Sequence, residues 1–177
     1  MTTQDIAAAL QRVESVLRRR PEAGIVDDAP ATARWGGGMR AVTRHASGVQ
    51  VVTDMPGELG GSGDQVSPGW LLRAALASCA ITRIAMAAAT EGIELHSLEA
   101  VAQSRSDARG LLGMADTDGT PVPAGPSDVQ LLIRISAPGV AAEQVQALVR
   151  RGASGSPVGC AVEQAVAVAL HIEIEAA

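Results

Sequence analysis

The 177-residue chain contains no phenylalanine and no tyrosine, and Trp35 and Trp70 are its only large rings. Its core must therefore be built from Val, Leu, Ile and Ala. Ala-rich helices reach native packing density only by approaching their neighbours closely, which favours tight helix–helix or subunit contacts. Cysteine is nearly absent as well. Cys79 and Cys160 are the whole set, so a disulfide-stapled framework is not expected, and two such thiols read as catalytic, redox-active or simply buried. Positive charge is outweighed, with a net charge of −5. There is no basic stripe and hardly a ring on which bases could stack, which argues against a nucleic-acid partner. No apolar run is expected to span a membrane, and Met1-Thr2-Thr3-Gln4-Asp5 lacks the charged and apolar regions of a signal peptide. The expectation is a cytoplasmic protein without a membrane partner. His45, His96 and His171 are scattered, and no spacing pairs them as ligands, so no metal and no cofactor is expected.

The chain has the length of one domain, here with an appendage. Residues 4–20 read as an amphipathic helix with Ile6, Leu10, Val13 and Leu17 on one face. Its end, Arg18-Arg19-Arg20, suits the negative pole of a helix. A linker follows to Pro30, which gives a division into residues 1–30 and 31–177. Trp35-Gly36-Gly37-Gly38-Met39 opens a hairpin region, with strands at 39–45 and 48–55 around His45-Ala46-Ser47-Gly48. Pro56 to Asp64 is a glycine-rich loop in which Glu58 and Asp64 are expected to be solvated. Its Gly60-Gly61-Ser62-Gly63 lacks the Lys-Ser/Thr ending of a phosphate loop.

A long helix is predicted over 67–91, opened by Ser67-Pro68 as N-cap and first residue and closed by Gly92. It is too apolar for a surface helix and reads as the central element. Strands at about 95–107 and 129–135, helices over 140–151 and from Ser156, and a closing strand at 167–174 complete the chain. The order is α+β, a largely antiparallel sheet wrapping a central helix.

The thiols are the reactive groups that occur in a pattern, each following a Ser-Pro helix start. Cys79 lies about twelve residues into its helix, beyond the reach of the N-terminal dipole, so any activation must come from neighbouring cations. Arg83, at i+4, and Arg40, from the hairpin, are candidates. The plain alternative is a small buried hydrophobe. Cys160 stands near a helix start, where the dipole does lower a thiol pKa.

Several segments resemble the OsmC/Ohr family of thiol-dependent peroxidases. They are Gly60-Gly61, the Pro-x-x-Leu-Leu entry at Pro68–Leu72, Ala-Ala-Leu-Ala-Ser-Cys at 74–79, Glu91-Gly92-Ile93, and the Ser-Pro-Val start at Ser156. The resemblance covers about residues 31–176 and implies an intertwined homodimer, with long helices crossing centrally and active sites at the subunit interface. It implies a peroxidatic role for Cys79, a sulfenic acid intermediate, a disulfide formed with a second cysteine, and a dithiol reductant. The substrate would be a small hydrophobic peroxide in an apolar pocket lined in part by Trp70, Leu72, Met86 and the hairpin. The activating arginine would be Arg40, with Arg44 and Arg83 open as alternatives.

Two positions depart from the family pattern. Ser156 holds the place of the family's second cysteine, with Cys160 one turn later, a displacement of roughly 5 Å. Gly69, followed by Trp70, replaces the glutamate of the Ohr-type entry. A non-catalytic binding or redox-sensing member of the same fold is therefore the second expectation.

Overall fold

The computed structural model describes residues 2–174. Helix α1, Thr3–Arg19, starts with a capping box in which Thr2 and Asp5 satisfy each other's backbone N–H groups. Three short antiparallel strands follow: β1, Thr32–Trp35, β2, Ala41–Arg44, and β3, Gln50–Thr53, in the order β1-β2-β3. The anticipated β2–β3 hairpin is present. Strand β1 was not anticipated; it pairs with β2 across a turn where Gly37 and Gly38 both take positive φ.

The long helix α2 spans Pro68–Thr90. Ser67 caps it, its side chain accepting from the Trp70 N–H at 3.2 Å. Gly92, at φ 67°, lets the chain turn back so that Ile93 N–H reaches the Ala88 carbonyl at 2.9 Å. Strands β4, Ser97–Arg105, and β5, Ser127–Ser136, form a second, separate antiparallel ribbon. Between them lies the single turn α3, Ala108–Leu111. Two helices complete the order: α4, Ala142–Ser154, and α5, Pro157–Gln164.

The fold class is α+β, as expected, but the central packing is narrow. Leu76, Ala80, Ile84 and Ala88 are buried at i+4 spacing along α2, and Leu148 of α4 is buried with them. Small residues set how close the helices come. A Cβ on Gly152 of α4 would stand 2.7 Å from the Ile84 Cα, so only glycine allows this approach. Helix α2 also packs against β4, α1 and α5.

Two expectations need correction. The first concerns length: α2, at 23 residues, is long and apolar enough to cross a membrane by length and composition alone. In this fold that same character serves a helix contacted by four other elements, and Arg73 and Arg83 interrupt its apolar run. The second concerns the closing strand. Residues 166–174 form no strand, and Val166, Val168, Leu170, Ile172 and Ile174 are 66–92% exposed. The alternation is that of a strand, but the segment pairs with none of the described strands.

Candidate active site

Cys79 lies midway along α2, on the turn between Leu76 and Arg83, and Cys160 occupies the first turn of α5. Both are half-buried free thiols. Ser156, almost fully buried, caps α5 through the Gly159 N–H at 3.3 Å. The Cys160 S–H points back to the Ser154 carbonyl, with Sγ 3.5 Å from its oxygen.

Two observations tie α5 to α2. Arg83 Nε donates to the Gly155 carbonyl at 3.0 Å, immediately before α5 begins. Further along, Gly159, Val162 and Glu163 of α5 share one cavity with Leu76, seven residues earlier on α2. Helix α5, which carries Cys160, is thus in contact with α2, which carries Cys79. That cavity, about 490 Å³, is walled by Leu76, Val129, Leu131 and Val162, with Arg150 and Glu163 as its charged members, and neither cysteine lines it.

The three candidate arginines go to different places. Arg40 is held in its own hairpin and loop: Nη2 donates to Asp64 at 2.6 and 2.7 Å and to Ser62 Oγ at 2.9 Å. Its Nε stands 3.4 Å from Asp54. Arg44, on β2, lies beside Pro30, Thr32 and His45 in a shallow surface recess. Arg83 serves the α4–α5 junction. Among the described residues no arginine hydrogen-bonds the Cys79 sulfur.

Asp64 is thus an ion-pair partner rather than only a solvated loop charge, although half its side chain remains exposed. Asp54 is buried and was missed by sequence reasoning. It accepts from Ser62 Oγ at 2.6 Å, Ser62 N–H at 3.0 Å and Met55 N–H at 2.8 Å. The Ser62 hydroxyl, followed by the backbone N–H of Ser62, holds the Asp54 carboxyl below the usual carboxylate range. Asp64 is lowered by Ser62 first and then by Arg40, and Arg40 is raised in turn, chiefly by Asp64. Gly61 makes this network possible, since a Cβ there would collide with the Met55 carbonyl. The available signal was the pairing of an acidic residue at a strand end, Thr53-Asp54, with a Gly-Gly-Ser loop.

The anticipated pocket of Trp70, Leu72 and Met86 does not form within one chain. Met86 is sixteen residues beyond Trp70, about 24 Å along the helix. It faces α1 in another recess, with Leu10, Val13 and Leu17, while Trp70 and Leu72 are 47% and 40% exposed. Among the described residues no three His, Cys, Asp or Glu side chains gather as a metal site.

An α+β frame carrying one thiol on a long central helix and a second on an adjoining short helix defines the class. The family model for OsmC-like proteins matches residues 61–171, and the chain belongs to that family. No match was found among curated proteins. Among solved structures it is similar to an OsmC-like protein from Mycoplasma pneumoniae, with a TM-score of 0.63 at 15% identity, covering 78% of this chain and 89% of that one. It is also similar to an OsmC-like protein of unknown function from Vibrio cholerae, with a TM-score of 0.59 at 14% identity over 78% and 95%. A third is the organic hydroperoxide resistance protein OsmC from Legionella pneumophila, with a TM-score of 0.55 at 20% identity over 78% and 90%.

Proposed function

We propose that this protein is a homodimeric, cysteine-dependent peroxidase that reduces organic hydroperoxides, with Cys79 as nucleophile and Cys160 as resolving thiol. The observation that carries the reading is that the helix bearing Cys79 and the helix bearing Cys160 are in contact and tied by the Arg83–Gly155 hydrogen bond. The Cys79 thiolate attacks the terminal peroxide oxygen, the O–O bond breaks, and the alkoxide leaves as an alcohol after taking a proton. The resulting sulfenic acid condenses with the Cys160 thiol, forming a disulfide and releasing water. A dithiol then reduces the disulfide, which suits a reducing, cytoplasmic setting. Membership of the OsmC-like family and the neighbour's name as an organic hydroperoxide resistance protein support the substrate class.

A second copy is part of the proposal. The single chain exposes 13009 Å², whereas a compact 18.0 kDa monomer would expose about 8,000 Å². The excess of about 5,000 Å² on one chain is ample for an obligate interface, which takes about 1,000–2,500 Å² from each partner. The apolar stripe of residues 166–174 supplies part of it, as a strand waiting for an edge. In the assembly Arg40 reaches the active thiol across the interface, residues 31–177 form the OsmC-like body, and residues 1–30 are an addition whose helix packs on α2.

The test is stopped-flow mixing with cumene hydroperoxide, following thiol loss. Wild type loses thiol rapidly and Cys79→Ser does not; equal rates in the two proteins would end the reading. A specific observation favours a binding or redox-sensing role instead, namely that two aspartates already engage Arg40. Alkylation of Cys79 as a function of pH separates the two. A pKa clearly below the free-thiol value of about 8.5 goes with catalysis, and one at or above it with binding.

A further inference from the structure

Arg83 stands at i+4 from Cys79, where a guanidinium could have served the nucleophile. It turns away. Its Nε donates to the Gly155 carbonyl at 3.0 Å, and its Nη1 lies 3.7 Å from Met86 Sδ. Contact with the junction is close: a Cβ on Gly155 would stand 2.9 Å from Nη2. The next residue is Ser156, the buried N-cap of α5. The Cys160 thiol points to the carbonyl of Ser154, the peptide adjoining the one that Arg83 grips. One side chain of the helix carrying Cys79 therefore clasps the turn from which the helix carrying Cys160 departs.

We infer that Arg83 is a positioning residue that fixes the register of α5 on α2 and so brings Cys160 to Cys79 for disulfide formation. It does not activate the nucleophile. A guanidinium is suited to this task because it is charged at every working pH, and its planar fork can bond a backbone carbonyl while lying flat on the glycine beside it. Glycine at 155 leaves the room.

The inference rests on the thiol-cycle reading for its biological use, so its test avoids peroxide. Oxidised glutathione forms a mixed disulfide at Cys79 and releases one glutathione. The Cys160 thiolate then attacks the Cys79 sulfur. The bond to glutathione breaks, and the second glutathione leaves with the electron pair and takes up a proton. Intact-mass spectrometry on quenched samples follows both steps, well below the melting temperature. In Arg83→Gln the first step keeps its rate and its pH midpoint, while bridge formation slows by about tenfold to a hundredfold, the scale of a misplaced reacting group. Arg83→Lys recovers part of the rate, because an ammonium can still bond the carbonyl.

Bridging at the wild-type rate in Arg83→Gln overturns the inference. A slowed first step with a shifted pH midpoint also overturns it, since Arg83 would then activate Cys79. So does a wild type that forms no bridge. Should Arg83→Gln not fold, Gly155→Ala keeps the charge but displaces the guanidinium, and it must slow bridging likewise; an unchanged rate refutes the proposal. Arg83-dependent bridging without thiol loss in cumene hydroperoxide would sink the peroxidase reading and leave this one standing.

Discussion

Replacing Gly152 by alanine probes the contact on which the central packing depends. The added methyl would lie 2.7 Å from both Cα and Cγ1 of Ile84 and 3.0 Å from its backbone nitrogen. Carbon atoms pack comfortably at about 3.5–4.0 Å, so α4 and α2 must part by nearly 1 Å. Ile84 cannot yield by rotating, because its own main chain forms part of the obstacle and its side chain is fully buried, as is that of Leu148. Overpacking of this kind costs about 1–3 kcal/mol. The better helix propensity of alanine returns at most about 1 kcal/mol. The net expectation is a loss of about 1–2 kcal/mol, which lowers Tm by about 2–8 °C in a domain of this size. The assay is thermal unfolding by circular dichroism at one fixed protein concentration, because association would otherwise move Tm. Gly69→Ala is the paired control. At the start of α2 its methyl meets nothing nearer than 3.8 Å, and it should leave Tm unchanged or slightly raised. A Gly152→Ala protein as stable as wild type would refute the close-approach reasoning.

Two further outcomes follow from the loop network and the carboxy-terminal stripe. The folded-state pKa of Asp54 is lowered, first by the Ser62 hydroxyl, so its contribution to stability is complete above the ordinary carboxylate value of about 4 and is lost as pH falls through the lower folded value. Ser62→Ala removes that leading cause and should move the acid-unfolding midpoint to higher pH, whereas superimposable acid titrations of variant and wild type would contradict it. Ending the chain after Ala165 removes the five exposed alternating side chains and should convert a dimer into a monomer or an aggregating species, as read by light scattering on a sizing column. A truncated protein that remains a dimer would separate this segment from association.

The sequence by itself determined what is local. Ser67-Pro68 and Ser156-Pro157 mark two helix starts because a hydroxyl cap and a proline act on the backbone within three residues of themselves. Gly92 ends α2 because only a residue tolerant of positive φ can make that turn. The run around Cys79 was distinctive enough to point to the family. Tertiary structure alone decided where the arginines go. Arg40 meets Asp54 and Asp64 because the loop after β3 folds back on the hairpin. Arg83 meets Gly155, 72 residues away, because Gly152 lets α4 close on α2. The strand pattern at 166–174 was equally plain, but pairing needs a second edge brought alongside, and none of the described strands stands beside this segment. Side-chain type and spacing report what a segment can do within a few residues, whereas a cation's partner and a strand's neighbour depend on which distant backbone arrives beside them.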